Sequence, residues 1–193
     1  PLARAERKPL DQKKKTAPRC QREIIHKRGT ITMQNIDLIC VGKLNAKYFA
    51  GGVAEYQKRL AAFASFRIVE LPEEKIEEKN ASDAVVKKAL DKEGRAILGS
   101  VRKGAAIVAL CIEGKQISSE ELAQFLADHA NSGAGDVAFV IGSSHGLSDE
   151  VKRAAALRFS MGRITMPHQL ARLVLTEQIY RACTINAGMK YHK

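Results

Sequence analysis

Four short apolar runs constrain the fold of this chain more than any other feature. Residues 36–42, 105–114 and 137–142 are almost wholly apolar and end in glycine, and residues 66–71 form a fourth, more polar run. Continuous apolar runs indicate strands that are covered on both faces, and strands that alternate with helices are typical of a parallel sheet with right-handed crossovers. The sequence therefore predicts the α/β class, with a mostly parallel sheet flanked by helices.

Helical spacing of apolar residues between and after these runs predicts five helices, which cover about residues 46–62, 82–99, 118 onwards, 148–157 and 167 onwards. The residues expected to start them are Asn45, Asn80 or Ser82, Ser118, Ser148 and Pro167. Ser118 and Glu121 have the spacing of a capping box. Only residues 158–166 separate the last two helices, which is too little for another ordinary crossover unit. The last quarter of the chain therefore departs from the simple repeat.

The ends of the apolar runs predict where a ligand binds. In open α/β sheets the ligand crevice lies outside the carboxyl ends of the strands, and glycine there allows tight turns. We expect three stretches to converge: residues 110–114, residues 142–146 and the region around Met161.

The first 32 residues differ from the rest in composition. They contain ten Lys or Arg against three acidic residues, a net +7, which leaves +4 of the formal +11 for residues 33–193. Such a segment cannot bury enough apolar surface to fold, so we predict a disordered basic extension, upstream of a translation start at Met33. A basic RNA-binding arm is the alternative. Residues 33–193 are predicted to form one domain.

Several protein classes are disfavoured by the absence of their patterns. No apolar run approaches the roughly 18–20 residues needed to cross a bilayer, and no segment resembles a signal peptide, so a cytoplasmic location is expected. The four cysteines are scattered, and His145 has no partner at suitable spacing, so no metal site is expected. GSSHG, residues 142–146, is neither a P-loop nor a GxGxxG motif, so no nucleoside triphosphate or NAD site is indicated.

Seven segments together resemble one protein family. They are ICVGKL, AEYQKRL, DKEGRAIL, LCIEGKQISSEELA, FVIGSSHGLS, ITMPHQLARLVLTEQIYRA and the terminal YHK. In this order they span residues 33–193 and resemble the ribosomal RNA large subunit methyltransferase H family, of the SPOUT class. The resemblance implies an α/β fold with a deep trefoil knot at its carboxyl end, a homodimer, and S-adenosylmethionine (SAM) as methyl donor. It also implies methylation of N3 of pseudouridine 1915 in the 23S ribosomal RNA of the assembled ribosome.

The resemblance also implies a SAM pocket, position by position. The implied pocket residues are Leu110, Gly142, Ser143, Met161, Gly162, Arg163, Ile164, Thr165 and Met166. Small residues and irregular loops are expected there because adenine and ribose would be held mainly through backbone groups. The family usually has two glycines where this chain has Gly142 and Ser143, and serine adds a side chain and restricts φ.

Four residues are candidates for catalysis. The enzyme would have to align N3 with the methyl carbon and remove the imide proton. His168 and Arg172 lie one helical turn apart. We expect Arg172 to bind an RNA phosphate or a uracil carbonyl, and His168 either to orient the base, to accept a proton, or merely to make local backbone bonds. Tyr191 and His192 would cover the pocket of the partner subunit and meet the RNA, unless the tail is a frayed terminus.

Other residues and other functions are compatible with the same sequence. Arg153 and Arg181 are further candidates for phosphate contacts, and Glu177 is expected to be a dimer or tail contact. A SAM-dependent enzyme of this fold could instead act on transfer RNA. A non-catalytic ribosome-binding module is a third interpretation, for which Ser143 is the one supporting residue.

Overall fold

A computed structural model describes residues 24–25, 31–77, 79, 81–133 and 135–192 of the 193-residue chain. The strands are β1 (Ile24–Ile25), β2 (Ile31–Thr32), β3 (Asn35–Val41), β4 (Ser65–Leu71), β5 (Ala106–Gln116), β6 (Val137–Ile141) and β7 (Leu157–Ser160). The helices are α1 (Lys47–Leu60), α2 (Asp83–Ser100), α3 (Ser119–Asn131), α4 (Asp149–Ala154) and α5 (His168–Asn186).

Strands β3 to β7 form one parallel sheet in the order β4-β3-β6-β5-β7. This arrangement confirms the predicted α/β class and the four predicted strands. The fifth strand, β7, lies in the stretch that we judged too short for another crossover unit. The helix predicted over residues 148–157 ends earlier, at Ala154, because the chain from Leu157 onwards pairs with β5.

The core consists of two clusters, one on each face of the sheet. Successive side chains of a strand point to opposite faces, so Ile36 and Leu38 of β3 belong to one cluster, and Ile39 and Val41 to the other. The first cluster packs against α1, α3 and α5, where Leu175 is fully buried, and the second packs against α2 and α4. Both faces are covered, which explains why the strands are continuous apolar runs.

Four helices begin where the sequence predicts, and one of them is α4, where Ser148 accepts the N–H of Val151 (3.3 Å). Ser82 precedes α2 and accepts the N–H of Val85 (3.4 Å). Ser118 and Glu121 form the predicted capping box at the start of α3. Pro167 immediately precedes α5. In each case a residue within the first turn is sufficient to define the start of the helix.

The start of α1 is held by a residue distant in sequence, and this contact shows where α5 begins. The prediction that Asn45 caps this helix was wrong, because the side-chain oxygen of Gln169 accepts the N–H groups of Asn45 (3.1 Å) and Ala46 (3.0 Å) instead. The start of α5 therefore lies beside the carboxyl end of β3, whereas β7 lies at the edge next to β5. Residues 161–167 consequently cross the carboxyl ends of β5 and β6.

The predicted amino-terminal extension, residues 1–32, lies outside the described residues except for two short strands. Residues 24–25 pair with residues 31–32 in an antiparallel arrangement that is separate from the main sheet. The boundary predicted at Met33 comes two residues before β3 begins.

Candidate active site

A cavity of about 710 Å³ lies at the carboxyl ends of β5, β6 and β7, and we call it the edge cavity. The stretches predicted to converge do so here: the end of β5, the turn after β6 and the chain after β7 all line it. The implied pocket residues that line the edge cavity are Leu110, Gly142, Ser143, Met161, Gly162, Ile164, Thr165 and Met166. Arg163 is exposed and is the one implied pocket residue outside this lining.

The turn after β6 requires glycine at its first position. A Cβ atom built on Gly142 would lie 2.0 Å from the carbonyl oxygen of Gly146, closer than any real contact of this kind. Gly146 has φ of +93° and donates its N–H to the carbonyl of Ser143 (3.0 Å), which closes the turn. The tight shape of this turn, which lines the edge cavity, therefore depends on glycine at position 142.

An irregularity in β5, which the sequence analysis did not predict, forms another wall. Leu110 and Lys115 both pair with Phe159 of β7, so residues 111–114 bulge out of the ladder. A Cβ on Gly114 would lie 2.7 Å from a backbone oxygen of β7, so the bulge needs glycine there. The first three bulged residues line the edge cavity. The available signal was a glycine inside an apolar run, which we interpreted as the end of the strand.

Charges in this bulge have a chemical consequence. Lys152 of α4 forms an ion pair with Glu113 (2.6 Å), and this hydrogen bond lowers the pKa of the Glu113 carboxyl. Burial, and then the nearby charge of Glu113, raise the pKa of Cys111. The Cys111 thiol therefore stays protonated near neutral pH and is a poor nucleophile, although it lines the edge cavity.

The chain after β7 forms the third wall. The hydroxyl of Ser160 donates to the carbonyl of Gly162 (3.0 Å) and accepts the N–H of the same residue (3.2 Å), while Gly162 has φ of +129°. Beyond this turn Ile164 is 78% exposed, and Ile112 in the β5 bulge is 54% exposed. Both line the edge cavity, so its mouth presents apolar surface to solvent.

The two predicted catalytic residues of α5 meet at Gly42 but face different surroundings. His168 lines the edge cavity, and its Nε2 lies 3.6 Å from where a Cβ on Gly42 would be. Arg172 is only 1% exposed; it donates to the Glu70 carboxylate and to the carbonyl of Gly42 (2.9 Å). The same Glu70 oxygen accepts the N–H of Leu44 (3.0 Å). Only His168 therefore contributes to the cavity surface.

The ion pair between the buried Arg172 and Glu70 determines the structural role of Arg172. Burial by itself raises the pKa of Glu70, but hydrogen bonds from Arg172 and from the N–H of Leu44 outweigh it, and the pKa lies below its ordinary value. The guanidinium thus joins the end of β3 to α5. We expected Arg172 to contact an RNA phosphate or a uracil carbonyl, and its burial places it out of reach of either.

The tail residues pack against the far end of α5 in a group that we call the tail cluster: Glu120, Glu177, Tyr180, Arg181, Tyr191 and His192. The hydroxyl of Tyr191 donates to Glu177 (3.1 Å), and its ring packs edge-on against Tyr180 (4.9 Å between centroids). Arg181 pairs with Glu177 and lies over the Tyr191 ring (4.7 Å). Glu177 thus makes the tail contact that was one of its two predicted roles.

The remaining tail residue pairs with α3. The imidazole of His192 contacts the Glu120 carboxylate (2.6 Å). Hydrogen bonds from the backbone N–H of Glu120 itself, from Ser118 and from His192 lower the pKa of Glu120 to about 2. Both predicted catalytic residues of the tail are therefore held by carboxylates of their own protomer.

Helix geometry separates the tail cluster from the edge cavity. Glu177 follows His168 by nine residues in α5, which at about 100° and 1.5 Å per residue places it on the opposite side of the helix and roughly 13 Å further along. Tyr191, bound to Glu177, lies on that opposite side. Within one protomer the structure does not bring Tyr191 and His192 together with His168.

Comparison with known proteins assigns the chain to a family. A family model described as predicted SPOUT methyltransferase matches residues 34–192. Ribosomal RNA large subunit methyltransferase H of Streptococcus uberis is 51% identical over 158 residues, which are 82% of this chain and 99% of that protein. The same enzyme of Ligilactobacillus salivarius is 52% identical over 159 residues, with equal shares covered. The chain belongs to the ribosomal RNA large subunit methyltransferase H family.

Membership of the methyltransferase H family defines the general activity. The protein is a SPOUT-class methyltransferase that acts on ribosomal RNA of the large subunit. A solved structure, the SpoU methyltransferase AviRb from Streptomyces viridochromogenes in complex with AdoMet, is 12% identical; 79% of this chain and 59% of that chain align at a TM-score of 0.40. That likeness is too low to add to the assignment.

Two kinds of feature are absent from the described part of this methyltransferase H family member. In residues 24–25, 31–77, 79, 81–133 and 135–192, no cluster of three or more His, Cys, Asp or Glu side chains has the arrangement of a metal site. Within the same ranges, no helix combines the length and the hydropathy that a membrane crossing needs.

Proposed function

We propose that this protein transfers the methyl group of SAM to N3 of pseudouridine 1915 in 23S ribosomal RNA of the assembled ribosome, and that it does so as a homodimer in the cytoplasm. The observation that carries the proposal is the edge cavity, which gathers eight residues of the implied SAM pocket next to His168. The family assignment supports the reaction class, and the donor and the exact nucleotide are our inference from the resemblance.

The edge cavity has the properties expected of a SAM site. Its volume of about 710 Å³ lies within the range of typical small-molecule sites. Gly142 allows the turn beside the cavity to close on itself, since a Cβ there would lie 2.0 Å from the carbonyl oxygen of Gly146. Leu110, Met161 and Ile164 supply apolar surface, as a purine ring requires. When bound there, SAM supplies an electrophilic methyl group.

The protein residues around this cavity have three tasks. The turn at Gly142 and the loop at Gly162 hold the donor through backbone groups. His168 lines the cavity and orients the uracil ring or accepts the N3 proton, since an imidazole can act as a base near neutral pH. Arg172 holds Gly42 and the start of α5 in place, so we now propose that it positions His168 instead of contacting RNA.

A dimer would give Tyr191 and His192 a catalytic role. They lie on the opposite side of α5 from His168, so they would reach an edge cavity only in a second protomer. The exposed Ile112 and Ile164 at the cavity mouth supply apolar surface for such a neighbour to cover. We also propose that the chain is knotted, which the crossing of residues 161–167 over two strand ends supports.

The proposal is tested by methyl transfer from labelled SAM to ribosomes purified from cells that lack this gene, with the modified base located by mass spectrometry. Free 23S RNA and transfer RNA are assayed in parallel. The full chain and a chain that starts at Met33 are compared. We expect one methyl group on N3 of pseudouridine 1915, on assembled ribosomes only, at equal rates for both chains.

Each alternative predicts a different result. Methylation of transfer RNA would establish the same chemistry on another substrate. A folded protein that binds ribosomes but transfers no methyl group would favour the non-catalytic module. A slower reaction by the chain that starts at Met33 would assign residues 1–32 a role in RNA binding.

A further inference from the structure

The turn that lines the edge cavity is held from outside by two glutamates. The hydroxyl of Ser143 donates to Oε2 of Glu93 in α2 (2.8 Å), and Glu93 is only 5% exposed. The N–H and hydroxyl of Ser144 both contact Oε1 of Glu73 (3.4 and 3.1 Å). Consecutive residues of the turn are therefore tied to two different parts of the chain.

These two ties are joined to each other. The second oxygen of Glu93, Oε1, accepts the N–H of Glu74 (2.9 Å), the neighbour of Glu73. The buried Glu93 carboxylate thus connects the turn to residues 72–77. Glu73 makes a second connection between the same two segments. Gly94, adjacent to Glu93, packs tightly on the start of α4, which follows the turn, so that a Cβ there would lie 2.2 Å from the hydroxyl of Ser148.

Residues 72–77 also approach the candidate base. An oxygen of Glu73 lies 3.5 Å from the Cβ position of Gly42, and Nε2 of His168 lies 3.6 Å from the same point. The Glu73 carboxylate and the His168 imidazole therefore both lie beside Gly42. Through Glu93, the position of residues 72–77 is linked to the turn that lines the edge cavity.

We propose that Glu93 is a positioning residue that couples residues 72–77 to the turn at residues 142–147. A ligand in the edge cavity would then order residues 72–77 beside His168. The inference rests on the proposed function, because it takes SAM to be that ligand. Hydrogen bonds inside a protein reinforce one another when every partner is satisfied, and both Glu93 oxygens are. The connection between Glu93 and the turn depends on the hydroxyl of Ser143.

The test is hydrogen exchange of the full chain, measured by mass spectrometry with and without saturating SAM, together with steady-state kinetics. In the wild type we expect SAM to slow exchange in both residues 142–147 and residues 72–77. In Ser143→Ala, SAM still slows exchange in the turn but not in residues 72–77. KM for SAM rises about fivefold, because a hydrogen bond that holds the turn is lost, and kcat falls severalfold, because SAM no longer orders residues 72–77 beside His168.

Two further variants separate positioning from general stability. Glu93→Gln keeps both bonds, because its carbonyl accepts the N–H of Glu74 and its amide donates to the hydroxyl of Ser143, so the wild-type pattern is expected. Glu93→Leu removes both and behaves like Ser143→Ala if it folds. Ser100→Ala is the control, since it removes a hydroxyl bond on the same helix that stays within α2 (2.8 Å to Ala96 O).

The outcomes distinguish the two proposals. If SAM protects neither segment of the wild type, the proposed function fails and this inference fails with it. If SAM protects the turn alone in the wild type, or both segments equally in Ser143→Ala, the role of Glu93 is refuted while SAM binding stands.

Discussion

Near the start of α5 the edge cavity is shaped by backbone turns that require glycine, whereas further along the helix the tail cluster is held together by side chains. The cavity depends on close approaches that exclude a Cβ, at Gly142 and Gly114. The tail cluster depends on carboxylates, at Glu177 and Glu120, that bind a phenol and an imidazole. The first arrangement forms a fixed shape, and the second holds reactive groups at a surface.

The difference suggests a division of work. A backbone turn cannot be adjusted by side-chain rotation, so it is suited to a constant ligand such as a methyl donor. Side chains on a short tail can exchange one partner for another when RNA or a second protomer arrives. If this account holds, changes in the edge cavity affect donor binding first, and changes in the tail cluster affect methyl transfer without affecting donor binding.

The largest effect on SAM binding is expected from Gly142→Ala. The added Cβ would lie 2.0 Å from the carbonyl of Gly146, so the turn must shift, and this shift should weaken SAM binding by about tenfold to a hundredfold. Isothermal titration calorimetry measures this loss. Gly99→Ala, with nothing within 4 Å of the added Cβ, is the control and should leave SAM affinity unchanged. Equal losses in both variants would refute the shape argument.

Arg172→Leu should destabilise the fold by about 2 kcal/mol, because it removes the donor of the buried Gly42 carbonyl and breaks the pair between a buried guanidinium and the Glu70 carboxylate, which is 39% exposed. The paired carboxyl of Glu70 has a lowered pKa, so its contribution is present above the unfolded value near 4.5 and is lost as pH falls through the folded value. The difference in free energy of unfolding between wild type and variant should therefore become smaller below pH 4.5. Urea unfolding at several pH values measures both effects.

The matched control lies in the tail cluster. Arg181 of the same helix pairs with Glu177, but its side chain is 26% exposed, whereas that of Arg172 is 1% exposed. Arg181→Leu leaves no buried backbone carbonyl without a donor, so it should cost less stability than Arg172→Leu. Similar losses in the two variants would contradict the special role of the buried guanidinium.

His168→Gln should lower kcat by tenfold to a hundredfold and leave SAM affinity within about twofold. The reason is that the imidazole lines the cavity where it would orient the uracil ring or accept the N3 proton. Single-turnover methylation and calorimetry measure the two quantities. Loss of SAM binding without a change in the methylation rate would show that His168 is only part of the donor site.

The smallest effect on stability is expected from Tyr191→Phe. The ring keeps its contact with Tyr180, while the hydrogen bond from the hydroxyl to Glu177 is lost. The free energy of unfolding should therefore change by no more than about 1 kcal/mol. SAM affinity should not change, and methyl transfer should slow. A loss of SAM affinity as large as that of Gly142→Ala would place the tail in the cavity of its own protomer.

Local patterns were sufficient for much of this structure. The apolar runs predicted four strands and their parallel arrangement, and Ser118 with Glu121 predicted the start of α3. These features depend on neighbouring residues, which a sequence shows directly. The resemblance supplied the pocket residues, eight of which converge on the edge cavity.

Long-range contacts account for what was missed. The residues that precede α1, Asn45 and Ala46, are held by Gln169, which is more than 120 positions away. The bulge at residues 111–114 depends on pairing with β7, a strand that we did not predict. The burial of Arg172 follows from the return of α5 to the end of β3. Each requires the folded path of the chain, which spacing along the sequence does not reveal.

The most direct test of the account is a mixed dimer. Gly142→Ala protomers, with a defective cavity, and protomers that end at Met189, without Tyr191 and His192, are co-expressed with different tags and purified through both. If the cavity of one protomer works with the tail of the other, the mixed dimer has one intact site and should methylate ribosomes at about half the wild-type rate, while each parent is inactive. A mixed dimer as inactive as its parents would contradict the account.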